Sequence, residues 1–270
     1  MNRCLYFGAA LVAVLACGRA QDSPVVSGGA AKAKAPSTIS AESAGDVVIR
    51  PLAAAYAISK TPAAASVAGS ISLKAALQPL EPTPTGRDSA ACGVSIPDES
   101  LQQLTGGLGG VVVWLEGIHS GKAPSAERRL ELESLKCKLS PRVQAAMVGS
   151  AFNIIGHDEL RQHLRFVAPG DSSPRATILL GGGEQVIPTE LPFKAPGMVA
   201  VRDKDHPWTR AYIAVFDHPY FAVTAPNGAF TIAGVPAGTY TLHAWHERTG
   251  ATTQQVVVGA SGVVNVKLAM

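Results

Sequence analysis

The chain has 270 residues, 47% of them hydrophobic and only 16% charged, with 27 glycines and 19 prolines; that length accommodates one large or two small domains. Its net charge of +3 arises within residues 1–60, which leaves 17 basic and 17 acidic side chains from residue 61 onward. A nucleic-acid binder needs a concentrated basic face to neutralise phosphates, so the balance argues against that class.

Residues 1–20 read as an export signal. Arg3 precedes an apolar run from Leu5 to Ala16, and small residues follow. The run is too short to cross a hydrocarbon core of ~30 Å. Two processing routes stay open. Val14-Leu15-Ala16-Cys17 resembles a bacterial lipobox, which would leave a lipidated Cys17 as the only membrane attachment. Gly18-Arg19-Ala20 offers the small residues that ordinary signal peptidase uses. With Cys4 inside the signal, Cys92 and Cys137 remain. A pair in an oxidising compartment is expected to form one disulfide.

Residues 21–66 read as a low-complexity linker of Ala, Ser, Gly, Pro and Lys, too poor in large apolar groups to offset the entropy of ordering. Within it, Asp46 to Lys60 carries Val47-Val48-Ile49 and Tyr56 and suggests a short docking element. From residue 67 the pattern is all-β. Ser70 to Leu73 alternates, and Val111 to Leu115 is the continuous run of a strand covered on both faces. Leu130, Leu132, Leu135, Cys137 and Leu139 alternate with one slip, which predicts a bulged strand, with a helix as the alternative. Further strands are expected at residues 151–155, 163–167, 176–180, 197–202 and 211–216, and the glycine run 106–110 reads as a flexible loop. Beyond them, Pro226-Asn227-Gly228 predicts a hairpin between Phe221–Thr224 and Phe230–Ile232.

The stretch Asn227 to Glu247, NGAFTIAGVPAGTYTLHAWHE, resembles a carboxypeptidase regulatory-like domain of transthyretin-like topology. Cys137 to Arg142, then His163, then His206-Pro207-Trp208-Thr209-Arg210-Ala211-Tyr212 resemble the cupredoxin-like proteins often fused to that module. The resemblance implies a cupredoxin-like Greek-key sandwich over 67–216 and a small transthyretin-like sandwich over 217–270, after a disordered tether. Cupredoxins hold copper with a His on an early strand and a Cys-x-x-His-x-x-Met loop, the thiolate and thioether being the soft ligands of a blue-copper centre. By this resemblance His163 and His206 take the imidazole positions. Asp203 stands in the Cys position and Thr209 in the Met position, so a blue-copper centre is excluded.

Two readings stay open for His163, Asp203 and His206: a harder site for copper or zinc, or a former pocket whose histidines only hydrogen-bond. His157 is a further candidate beside them. His243 and His246 have opposite strand parity and cannot chelate on one face, and His246-Glu247 does not complete a zinc-protease motif. No nucleophile elbow or phosphate loop occurs. The expectation is a non-catalytic binding or scaffold protein of the bacterial envelope, periplasmic or anchored to the outer membrane, with no cofactor. Its partner would be an envelope protein or a glycan. The alternatives are metal binding, and glycan binding through exposed Trp208 or Tyr220.

Overall fold

In a computed structural model, residues 49–270 are described apart from 50, 53, 62, 127, 169–170, 172 and 190–193. The signal 1–20, Cys17 with its processing, and linker residues 21–48 lie outside the described residues. Among those described, a 3-10 turn, Gly86–Asp88, and one helical turn, Ser89–Cys92, are the only helices. Everything else of regular structure is strand, as the pattern predicts, and no helix there is long and apolar enough to cross a membrane.

Residues 129–216 form a middle sandwich. One sheet runs, in spatial order, Lys138–Ser140, Arg129–Leu135, Ala151–Gly156 and Gln185–Thr189. The other runs Val143–Met147, Arg210–Phe216, Gly197–Asp203, Gln162–Val167 and Ala176–Leu180. Alternate residues of each meet in a core that includes Leu132, Phe152, Ile154, Leu164, Phe166 and Ile213, as period-2 side chains require.

The other sandwich takes strands from both flanks. Val112–Glu116 lies between Phe221–Val223 and Gly238–His246, with Gly250–Val258 outermost. In the facing sheet, Ala64–Ser72 pairs antiparallel with Ala229–Val235 and parallel with Ser261–Ala269. The boundary expected at 216/217 therefore does not separate two modules, because the second sandwich needs strands from before residue 120 to close its sheets. Alternation marks a strand but not its partner, and here the partners lie almost the whole chain apart.

The two sandwiches stack face to face. Val113 and Leu115 enter the core of the composite sandwich, whereas Val112 and Trp114 turn to the opposite side. There they meet Met198, Ala200, Tyr212, Ala214, Phe216 and Trp245 in a shared apolar layer. Arg210–Phe216 behaves likewise, with Ala211, Ile213 and Val215 facing the middle core. The continuous apolar run at Val111 thus means a strand buried on both faces, as expected.

Four further expectations are corrected. The slip near Lys136 is not a bulge but a two-residue turn: Leu135 pairs with Lys138 across it. Lys136 and Cys137 have φ of 52° and 61°, the positive values a tight hairpin requires. Pro226-Asn227-Gly228 does not close a hairpin either. Phe221–Val223 pairs with Val112–Glu116 and Ala229–Val235 with Ala64–Ser72, so the turn crosses between sheets. The glycine run is not loose: Gly107–Leu108 pairs with Gln103–Leu104, and a Cβ on Gly107 would sit 1.9 Å from the Asn227 carbonyl oxygen.

The fourth correction concerns the expected linker, part of which is docked structure. Ile49 is buried in the layer between the sandwiches. The Leu52 amide donates to Asp217 Oδ2 at 2.8 Å, and Ala57–Ile58 pairs with Ser120–Gly121. Tyr56 Oη donates to the Lys122 carbonyl at 2.8 Å and meets Tyr220 Oη at 3.3 Å. The docking element suggested by Ile49 and Tyr56 is thus present, held mainly by backbone hydrogen bonds that composition does not reveal.

Candidate functional site

The loop from Asp203 to Thr209 joins Gly197–Asp203 to Arg210–Phe216 at one end of the middle sandwich. Asp203 is its organiser. Its side chain is fully buried; Oδ1 accepts from the amides of Asp205 (2.7 Å) and His206 (3.2 Å), and Oδ2 from that of His163 (3.1 Å). A short carboxylate that caps the amides after it is a turn-forming device. Thr209 closes the loop, with its amide on the His206 carbonyl at 3.0 Å and its Oγ1 donating to the Cys137 carbonyl at 2.9 Å.

The two histidines go separate ways. His163 is 40% exposed, with Nδ1 2.8 Å from Asp205 Oδ2. That contact holds the Asp205 carboxyl below its ordinary value. His206 is buried, with Nδ1 3.1 Å from Asp203 Oδ1 and Nε2 3.6 Å from Asp88 Oδ2. The shorter approach is close enough for an ion pair but lacks hydrogen-bond geometry, and Nδ1 has no hydrogen-bond partner. His157 pairs with Glu184 at 2.8 Å. Among the described residues, no group of three His, Cys, Asp or Glu is placed to hold a metal ion. Of the three, His206 faces Asp203, whereas the His163 ring is turned to Asp205.

The disulfide expected between Cys92 and Cys137 is present. Cross-linking residues 45 apart stabilises the fold by about 4 kcal/mol in the chain-entropy model. Cys137 sits in the positive-φ turn, where the Asp158 carboxylate accepts its amide at 3.0 Å. Trp208 packs with Leu160 against the bridge and meets the His206 ring at 5.4 Å, its indole nitrogen buried. Tyr220 is fully buried. Neither aromatic is the exposed platform that glycan binding at these positions requires, because both were needed for packing.

Sequence reading missed a buried ion pair. Arg142 Nε and Nη2 donate to the Glu247 carboxylate at 2.5 and 2.8 Å, with side chains 11% and 5% exposed. Burial works against the Arg142 charge, but the hydrogen bonds and attraction of Glu247 outweigh it and raise its pKa. The pair links the entry to Val143–Met147 with the exit from Gly238–His246, positions 105 residues apart that no motif connects. His243 stacks on Trp114 at 4.8 Å and bonds Glu116 at 2.8 Å, while His246 lies on the other face, as parity predicts.

Residues 197–270 match the model of the carboxypeptidase regulatory-like domain. The match begins in the middle sandwich and runs through the last five strands. No curated protein matches the chain. Similar solved structures include a copper-containing nitrite reductase from Thermus scotoductus SA-01, 19% identical with a TM-score of 0.28, covering 35% of this chain and 24% of that one. A reduced Cu(I) amicyanin mutant is 21% identical with a TM-score of 0.26, covering 34% and 85%. An oxidised amicyanin mutant is 21% identical with a TM-score of 0.28, covering 34% and 87%. The chain thus spans about a quarter of the nitrite reductase.

Proposed function

We propose that this chain is an exported, non-catalytic β-sandwich protein that binds or scaffolds a partner at the bacterial envelope, either periplasmic or anchored to the outer membrane through Cys17. One observation carries the non-catalytic reading: Asp203 and Thr209, at the two positions where the resemblance would require soft ligands, are committed to the loop backbone and to the Cys137 turn. The partner would be an envelope protein or glycan. Mass spectrometry of the membrane fraction tests the anchor. A diacylglyceryl mass on Cys17 is expected, and an N-terminus at Gln21 would replace the anchor with a free exported form.

A second reading has His206 in its favour, a buried imidazole between two carboxylates. In it, copper or zinc is held by His163, Asp203 and His206 after the loop rearranges, the carboxylate and imidazoles supplying a harder ligand set. Elemental analysis of the full chain after exposure to Cu(II) and to Zn(II), then desalting, separates the two. The scaffold reading expects substoichiometric metal that His163→Ala and His206→Ala leave unchanged. About one ion per chain, lost in both variants, would establish the metal reading instead.

A further inference from the structure

Charge is balanced over the chain beyond residue 60 but not over its surface. In the five-stranded sheet of the middle sandwich, Thr177 pairs with Arg165, Arg165 with Arg202, and Arg202 with Arg210. Residues directly opposite in register project from the same face. Three arginines therefore stand side by side on three adjacent strands, at the strand spacing of ~4.8 Å. The face is fixed by the next row, where Ala200 and Tyr212 enter the layer under the other sandwich. The arginine row lies two residues further along these strands, and all three side chains are half-buried.

Like charges placed directly opposite one another destabilise a sheet, so the carboxylates nearby matter. Glu247 is engaged in its bidentate pair with Arg142, and Asp205 with His163. Arg210 is held by donating twice to the Pro207 carbonyl, at 3.0 and 2.7 Å. Burial first, and then the positive charges of Arg142 and Arg202, pull its pKa down, with Tyr212 and Glu247 opposing them. Among the described residues Arg165 and Arg202 have no hydrogen-bond or ion-pair partner. Two unpaired guanidiniums and a third oriented by a loop carbonyl form a positive strip whose Arg210 end feels the Glu247 carboxylate already paired with Arg142.

We propose that this row is a binding site for a small multivalent oxyanion, one with two or more phosphate or carboxylate groups about a strand spacing apart. The planar fork of each guanidinium matches such a group bidentately. Arg165 and Arg202 supply the forks, Arg210 adds charge at one end, and Thr177 offers a hydroxyl at the other. Single anions would meet only one fork, so charge number governs affinity. The proposal gives the binding protein a ligand class and stands independently of the metal reading, since His163 enters only as the partner of Asp205.

The test is isothermal titration of the full chain with inorganic pyrophosphate, citrate and inorganic phosphate in turn, against sodium chloride at matched ionic strength. Pyrophosphate or citrate is expected to bind one per chain, at least tenfold tighter than phosphate; whichever is tighter identifies the natural ligand as a phosphate or a carboxylate compound. Arg165→Gln and Arg202→Gln should each weaken binding at least tenfold, with Arg128→Gln, on a cleft lined by Ala123, Met147 and Pro219, as the unaffected control. Removing one of three like charges should also leave the ligand-free thermal midpoint of Arg202→Gln equal to or above that of the parent, which shows the variant is folded. No saturable binding, affinity equal for one and several charges, or indifference to both row variants overturns the proposal.

Discussion

Acidification from about pH 7 to about pH 4.5 should lower the unfolding free energy by several kcal/mol through two rings alone, His218 and His246. Their side chains lie within residues 5% and 2% exposed. Burial is the main reason that each pKa is pushed down to about 4. For His218 the nearby His119 adds to the effect and Asp217 opposes it; for His246, Arg248 and Arg142 add to it and a hydrogen bond with the Ser100 backbone opposes it. Each ring also accepts a backbone amide at Nδ1, from Tyr220 and from Arg248 respectively, both at 3.2 Å. Protonating that nitrogen would break the bond.

The unfolded chain takes up these protons near pH 6.5 and the folded chain only near pH 4. Stability is therefore full above about pH 6.5 and declines as pH falls toward 4, by about 2–3 kcal/mol for each ring. Against a typical total of about 5–15 kcal/mol, the loss is large. Urea midpoints at the two pH values measure it. His218→Asn and His246→Asn, which retain an acceptor oxygen but do not titrate, should each flatten the dependence. A midpoint that moves equally in parent and variants would assign the acid sensitivity to carboxylates instead.

The second large effect is expected at Glu247. Replacing it with Ala leaves the Arg142 guanidinium buried without its paired carboxylate, with only the weaker attraction of Asp98 set against the positive charge of Arg210, and should destabilise the fold by about 3–5 kcal/mol. Arg142→Ala should do the same from the other side. The double variant Arg142→Met/Glu247→Leu removes both charges and should recover most of the loss, because an apolar pair of similar volume avoids the desolvation penalty. Urea denaturation at neutral pH checks all three. A single-variant effect below about 1 kcal/mol, the value of a solvent-exposed pair, would mean that water reaches this seam.

The sequence carried local information well and pairing information poorly. Val112–Glu116 and Arg210–Phe216 were legible because their apolar runs have no polar face. Val143–Met147 was not, since VQAAM neither alternates nor concentrates β-branched residues, and it is a strand only because Arg210–Phe216 pairs beside it. The Lys136-Cys137 turn lacks glycine and asparagine, and its positive φ values coincide with the disulfide and the Asp158 carboxylate. The Cys92–Cys137 bond itself followed from simple counting. At the candidate site, the residues that would gather near the Asp203 loop could be named, but the direction of each donor atom depends on backbone amides that no motif encodes. The arginine row was hidden for another reason: Arg165, Arg202 and Arg210 are scattered in the sequence and become neighbours only through strand register.

The parallel pairing of Ala64–Ser72 with Ser261–Ala269, nine residues on each side, sets an order of events when the chain emerges from the ribosome amino-terminus first. The middle sandwich, 129–216, has all its strands once residue 216 is through, and its contacts can form at once. Ala64–Ser72 must wait for nearly two hundred further residues, with an unpaired edge open to any other extended chain. A chaperone holding that strand until the carboxyl-terminal strand arrives would guard the edge through this interval.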